Sequence, residues 1–167
     1  CVAEGNAAQI GDAQWRQELG SWIRFNEREA VEKGDGLYAA CMGSPAAPRW
    51  LGKLIMSLAF TAKGQSQKDA IHIRSSAGVA VIHSEPGGKQ RWIEAGRCCE
   101  RFMLQAAALG LRTAFVNQPV EVERLRSQFA ASLGLGDRRP DLALRFGRGL
   151  EMPRSLRRPI EAIITRQ

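Results

Sequence analysis

The segment L-G-L-R-T-A-F-V-N-Q-P, residues 109–119, places two amides and a proline directly after a strand-like apolar run. Backbone N–H and C=O groups at the end of a strand have no ladder partner, so they are free to meet the edge of a flat heteroaromatic ring. Pro119 has no backbone donor and fixes the direction in which the chain leaves the strand. Asn117 and Gln118 are therefore candidate ligand-binding residues, and an ordinary strand-to-helix turn is the alternative interpretation.

A second cluster, P-R-S-L-R-R-P at residues 153–159, contains arginines at three positions between two prolines. Guanidinium groups bind phosphate through charge-assisted, bidentate hydrogen bonds, so Arg154, Arg157 and Arg158 are candidate phosphate ligands. A solvated basic segment or a nucleic-acid contact would have the same composition. The neighbouring residues are apolar and include no aromatic side chain on which a base could stack, which argues against nucleic acid.

The sequence contains none of the common catalytic motifs. There is no G-x-S-x-G, H-E-x-x-H or P-loop, and no G-x-G-x-x-G opens a helix after a strand. His72 and His83 are expected to be structural or solvated. The four cysteines lack C-x-x-C spacing, so we expect reduced thiols and no structural metal. We assign no catalytic side chain.

Length and charge limit the possible classes of protein. The 167 residues suit one domain, which we place at residues 1–167. Residues 1–50 contain 5 basic and 7 acidic side chains, whereas residues 51–167 contain 19 and 10. Such a basic excess suits nucleic acid, a membrane surface, a small anion or no partner at all. No apolar run approaches the roughly 20 residues that cross a bilayer, so we expect a soluble protein without a membrane partner. The expected reduced thiols favour a cytoplasmic location.

The order of predicted elements indicates an α/β fold. Residues 1–75 form a helical and irregular front part, with helices over 2–25 and 50–60, irregular chain over 26–49 and a polar surface segment over 61–75. Residues 76–167 form a core with strands at 77–83, 111–116 and 142–146, helices at 89–109 and 120–133, and a basic, then apolar tail. We expect an α+β sandwich in which a small mixed sheet packs against helices.

The core segments also occur in a specific order. It is the strand A-G-V-A-V-I, the helix W-I-E-A-G-R-C-C-E-R-F-M-L-Q-A-A-A-L-G-L, then T-A-F-V-N-Q, E-V-E-R-L, L-G-L-G, L-A-L-R-F-G-R-G and R-R-P-I-E-A-I-I. This order resembles the C-terminal part of the nitroreductase family, which are FMN-dependent α/β flavoproteins. W-I-R-F-N-E-R-E-A, G-D-G-L and P-R-W-L-G extend the resemblance to the NAD(P)H nitroreductases with two nitroreductase-like halves, named for dormancy-induced mycobacterial members. The chain resembles a C-terminal half that lacks part of the usual N-terminal region. It begins at Cys1 rather than Met, which we interpret as a piece of a longer protein.

The resemblance implies an FMN-dependent NAD(P)H oxidoreductase that reduces nitroaromatics, quinones or similar small-molecule acceptors through flavin N5. It implies that the backbone N–H of Gln118, beside Asn117, faces N5. It also implies that Arg157 or Arg158, with Arg154 as a further candidate, binds the FMN phosphate. The flavin of the family lies in a subunit interface, which implies a homodimer or pairing with a missing N-terminal half.

The sequence departs from the family in two places. The start of the chain has no arginine-rich R-x-S-x-R-like motif, and Asn117 and Gln118 stand where many members have an acidic residue and a glycine. Two alternative functions remain open. One is a flavin-binding protein that stores FMN behind a lid over residues 34–50 without turnover. The other is a basic nucleic-acid-binding module.

Overall fold

The computed structural model describes residues 1–164 and is a mixed α/β protein. The chain divides into two compact units. The first unit comprises Cys1–Gly11 and Thr61–Leu150, and the second comprises Asp12–Phe60 together with the tail from Glu151 onward. The α/β class predicted from the sequence is confirmed, whereas the single-domain organisation over residues 1–167 stays a prediction and its last three residues lie outside the described part.

The helices and strands are named in chain order. They are α1 (Val2–Gly11), α2 (Ala13–Trp22), β1 (Ile23–Arg24), α3 (Glu27–Lys33), β2 (Leu37–Tyr38), α4 (Arg49–Ala59), α5 (Ala62–Ser75), β3 (Gly78–Ser84), α6 (Lys89–Ala108), β4 (Arg112–Phe115), α7 (Gln118–Glu121), α8 (Glu123–Ser132) and β5 (Arg139–Gly147). Short 3₁₀ turns cover Ala39–Met42 and Ile160–Ala162.

The first unit is built on a three-stranded sheet with the order β3-β5-β4. Both pairings are antiparallel, so the mixed sheet expected from the sequence is wrong for this unit. Leu144 and Ala143 of the central strand β5 are almost completely buried. Ala143 packs with Val116 and Val120, and the partly buried Phe129 lies against this cluster. The core of the unit is therefore centred on β5, beside the place where β4 ends.

Helix α6 confirms the long helix predicted after the first strand of the core. Ala95, Cys99 and Ala106 are its buried residues, at spacings that place them on one face. The helix ends before Gly110, which has a left-handed φ of 70°. The N–H of Leu111 bonds to the carbonyl of Ala106 at 2.8 Å, which closes the C-terminal turn.

The second unit has a short parallel pair, β1 with β2, and a small core of Ile23, Phe25 and Ala39. The side chain of Asp12 caps α2 by accepting from the N–H groups of Gln14 and Trp15.

The secondary-structure prediction needs correction in several places. Ile23–Arg24 form strand β1 instead of ending the helix predicted over 2–25, and the helix predicted over 120–133 is interrupted at the extended Val122 between α7 and α8. Residues 26–49 are not irregular throughout, because Asn26 caps a helix, α3, which ends at the left-handed Gly34. Residues 61–75 are polar and, apart from Asp69, not buried, as predicted, but the sequence analysis did not assign them the helix α5, which is capped by Thr61. Both helices are polar enough to hide the apolar stripe by which a helix is usually detected.

Candidate functional site

The end of strand β4 is secured to β5 by a side chain. The N–H of Val116 makes a last ladder bond to the carbonyl of Ala143 at 2.9 Å. The side-chain Oδ1 of Asn117 then accepts from the N–H of Ala143 at 2.8 Å, in the place that a backbone carbonyl would occupy in a longer strand. Asn117 therefore ends the ladder without leaving the buried N–H of Ala143 unpaired.

The turn that follows leaves one donor without a bond. The carbonyl of Asn117 accepts from the N–H groups of Val120 at 2.8 Å and Glu121 at 2.9 Å, and Pro119 has no N–H. Within residues 1–164, no hydrogen bond is found for the backbone N–H of Gln118. This is the donor that the sequence predicts to face a ring edge.

Gln118 is fixed from behind by helix α1. A Cβ placed on Gly5 would lie 2.6 Å from the Cβ of Gln118 and 2.9 Å from its carbonyl carbon. Only a residue without a side chain allows α1 to approach this closely. The position of the Gln118 backbone is therefore set by direct contact with a helix.

The side chain of Gln118 joins a buried polar cluster around Asp69. Its Nε2 donates to Oδ2 of Asp69 at 3.2 Å, whereas its Oε1 is buried without a hydrogen-bond partner among the described residues. Asp69 is 8% exposed and also accepts from Asn6 at 2.8 Å and from Gln65 at 3.2 Å. Because the side chain is occupied inside the unit, the main chain is the part of Gln118 suited to a ligand.

The arginine-rich segment belongs to the second unit and is anchored there at Ser155. The Ser155 hydroxyl oxygen accepts from the N–H of Tyr38 at 3.0 Å and lies 3.5 Å from the Cys41 sulfur. Arg154 is exposed and pairs with Glu151 at 3.3 Å. Arg157 is exposed, and its Nη1 makes long contacts of 3.4 Å with the carbonyls of Ser155 and Leu156. Neither of these arginines is buried by the fold.

Arg158 is the predicted phosphate ligand that pairs with a distant part of the sequence. Its Nε lies 3.8 Å from Oδ2 of Asp35, and its guanidinium lies 5.9 Å from the centre of the Trp22 ring. Asp35 also accepts from Arg24, at 2.7 Å from Nη2 and 3.2 Å from Nε. These hydrogen bonds from Arg24 lower the pKa of Asp35 below its ordinary value, so the carboxylate stays ionised at neutral pH.

The G-D-G sequence of residues 34–36 places Asp35 against Arg24. Gly34 and Gly36 both have left-handed φ angles, of 62° and 76°. A Cβ on Gly36 would lie 2.4 Å from the Trp22 carbonyl oxygen and 3.0 Å from the Arg24 guanidinium carbon. The sequence analysis placed this stretch in irregular chain, in the resemblance and in a candidate lid, and it missed Asp35. An acidic residue between two glycines was the available signal, because glycines permit the left-handed turns that bring Asp35 to Arg24.

An open pocket of ≈ 680 Å³ lies beside Arg24 and Asp35 in the second unit. The other charged residues that line it include two ion pairs, Arg28 with Glu32 and Arg49 with Glu29. The pocket is thus polar and nearly balanced in charge.

The five predicted site residues are divided between the units. Asn117 and Gln118 belong to the first unit, whereas Arg154, Arg157 and Arg158 belong to the second. Gly5 and Asp69, which fix Gln118, were missed by sequence analysis, because neither a helical glycine nor an acid in a polar helix indicates a long-range contact.

The remaining candidates for reactive side chains are the cysteines and the possible metal ligands. All four cysteines are free thiols, and burial raises the pKa of Cys99, which keeps it protonated. Among residues 1–164, no group of three or more His, Cys, Asp or Glu side chains is arranged to hold a metal ion. In the same part of the chain, none of the helices combines the length and apolar character that a transmembrane segment needs.

Comparison with known proteins adds no relative: no family model matches the chain, and no significant match was found among curated proteins or solved structures.

Proposed function

We propose that this chain is part of an FMN-dependent NAD(P)H oxidoreductase of the nitroreductase type. Bound FMN would accept a hydride from NAD(P)H at N5 and pass electrons to a nitroaromatic, quinone or similar acceptor. The order of the core segments in the sequence supports this assignment. The observation that supports it best is the backbone N–H of Gln118 at the end of β4, for which no hydrogen bond is found within residues 1–164.

The residues of the first unit fit a flavin ring edge. The Gln118 N–H is a donor of the kind that binds a ring nitrogen, and it is the group that we propose for flavin N5. Asn117 and Gly5 fix its position, through the bond to Ala143 and through close contact with the Gln118 backbone. A donor held in place before the ligand binds loses little conformational entropy on binding. The role of this group is to bind and orient the ring.

The residues of the second unit fit a phosphate. Arg154 and Arg157 are exposed, and Arg158 is half exposed beside Asp35. Guanidinium groups in these surroundings can form charge-assisted bonds with a phosphate monoester such as that of FMN. The ring contact and the phosphate contact can be supplied by different copies of the chain, since the flavin of the family lies in a subunit interface. The partner we propose is a second copy or a missing N-terminal half.

We assign no side chain as a general acid or base. Solvent is therefore the proposed source of the protons that accompany reduction of the acceptor. On this basis the protein binds and orients the cofactor, whose own chemistry supplies the redox step.

The absorbance spectrum of the purified chain tests the proposal. We expect a yellow protein, or one that becomes yellow on addition of FMN, whose flavin absorbance bleaches under anaerobic NADH or NADPH and returns when a quinone is added. A bound flavin that neither donor reduces would instead indicate storage. Failure to bind FMN at all, together with retention on DNA that falls steeply with salt, would indicate a nucleic-acid-binding module.

A further inference from the structure

The second unit contains a cluster of three charged residues, Arg24, Asp35 and Arg158, with the carboxylate in the centre. Arg24 bonds to Oδ1 of Asp35, whereas Oδ2 is the oxygen nearest to Arg158. The Arg24 side chain is only 8% exposed, and its Nη1 donates to the Ser21 carbonyl at 2.6 Å. Arg24 is therefore committed to the fold and is not available to a ligand.

Arg158 differs from Arg24 in both exposure and hydrogen bonding. Its side chain is 50% exposed, and none of the hydrogen bonds found within residues 1–164 uses its guanidinium. The 3.8 Å separation from Asp35 permits charge attraction but is too long for a hydrogen bond. The donors of Arg158 thus remain available, although the side chain is oriented by an ionised neighbour.

The charges of the cluster favour an anion at Arg158. Arg24 and Arg158 contribute two positive charges and Asp35 one negative charge, so the cluster keeps a net positive charge. Asp35 attracts both guanidinium groups, but its single negative charge offsets only one of their two positive charges. Trp22 restrains the same guanidinium from its ring face, in the manner of a cation–π contact.

We propose that Asp35 is a positioning residue that holds Arg158 for the terminal phosphate of FMN. The inference rests on the proposed function, which it deepens by naming the residue that orders the phosphate ligand. A guanidinium restrained along one edge and one face can present its remaining N–H groups to phosphate with less loss of side-chain entropy.

Comparison of FMN with riboflavin isolates the phosphate contact, because the two ligands differ only by that phosphate. We would titrate each flavin into wild-type protein, Asp35→Asn and Glu32→Gln, and follow quenching of flavin fluorescence. For Asp35→Asn we expect FMN affinity to fall by about 3- to 10-fold, with riboflavin affinity unchanged. Glu32→Gln is the matched control, since it removes one negative charge from an exposed pair in the same unit.

The sign of the effect separates positioning from simple electrostatics. If Asp35 acted only as a nearby negative charge, its removal would strengthen binding of the FMN dianion. FMN affinity in Asp35→Asn that equals or exceeds that of the wild-type protein would therefore overturn the inference. A loss of affinity for both flavins in equal proportion would overturn it as well, because a general structural defect has that result.

A second variant keeps the inference testable if Asp35→Asn does not fold. Arg158→Lys keeps the positive charge at a half-exposed position but removes the planar fork that faces Asp35. We expect a similar loss of preference for FMN over riboflavin, and a retained preference would contradict the role of Asp35. Wild-type protein that binds neither flavin would contradict the proposed function itself, whereas an unchanged preference in these variants contradicts only the positioning role.

Discussion

Gly5 of α1 lies so close to Gln118 that its missing side chain is a structural requirement: a Cβ there would be 2.6 Å from the Gln118 Cβ. The contact joins the second turn of the first helix to the residue that follows the end of β4, more than 100 positions later in the sequence. A helix backbone thus forms the support for the candidate ring-binding donor. The geometry of that donor depends on a residue that has no side chain of its own.

Replacement of Gly5 by Ala should destabilise the protein by about 1–3 kcal/mol, because the added methyl group must displace the Gln118 backbone. FMN affinity should fall as well, since the same displacement moves the N–H of Gln118. Urea unfolding and flavin titration measure the two effects.

The control is Gly96→Ala in α6, where a Cβ would meet no atom within 4 Å. It should stabilise the protein by about 0.5–1 kcal/mol through helix propensity. Equal stability of the Gly5 and Gly96 variants would contradict the close contact.

Asn117 should contribute to stability through one hydrogen bond. Asn117→Ala removes the acceptor for the N–H of Ala143, a residue that is 1% exposed. An unpaired buried N–H costs about 1–3 kcal/mol, which urea unfolding should detect. Asn117→Asp keeps an oxygen at the same place and should recover most of the loss. If both variants are as stable as the wild-type protein, the side chain does not end the ladder in solution.

Replacement of Gln118 by Ala should have little effect on FMN affinity, because the proposed contact is made by the main chain. The variant loses the 3.2 Å bond from Nε2 to Asp69 but also removes Oε1, which is buried without a partner within residues 1–164. These two changes oppose each other, so we expect a loss of stability below about 1 kcal/mol. A large loss of FMN affinity at unchanged thermal stability would show that the side chain, not the backbone, contacts the flavin.

The regular part of the fold was predictable because its signals are local. Helix α6 has an apolar face and is followed by a glycine, β3 contains the β-branched run V-A-V-I, and β5 contains the segment L-A-L-R-F that predicted its central part. Helix α5 was missed because its sequence has no apolar stripe. Its contacts combine the packing of one residue, Ile73, against the core cluster with polar bonds such as that from Asn6 to Asp69, whose residues are 63 positions apart. Such contacts have no periodicity that a single sequence can display.

The candidate site was predictable only where its residues are adjacent in sequence. Asn117 and Gln118 follow the end of a strand, and the three arginines occupy one short segment. The residues that orient them, Gly5 and Asp35, come from distant parts of the chain. The sequence therefore indicates candidate ligand-binding groups, but not the groups that hold them in position.

The lowered pKa of Asp35 predicts how stability depends on pH. Hydrogen bonds from Arg24 lower the pKa of the folded state below that of the unfolded chain. The stabilising contribution of this carboxylate is therefore present above the pKa of the unfolded chain, about 4. It is lost as the pH falls through the pKa of the folded state.

Urea unfolding of wild-type protein and Asp35→Asn between pH 3 and pH 7, about the range over which carboxylates titrate, measures this contribution. The difference in the free energy of unfolding should be largest near neutral pH and should shrink below about pH 4, where the wild-type carboxylate becomes protonated. Glu94, whose pKa is also lowered, chiefly by a hydrogen bond from Arg91, titrates equally in both proteins and cancels from the difference. Glu32→Gln is again the control and should stay close to the wild-type protein, because its pair with Arg28 is exposed and such pairs contribute little. A difference that is constant from neutral to acid pH would mean that Asp35 stabilises the fold by its shape and not by its charge.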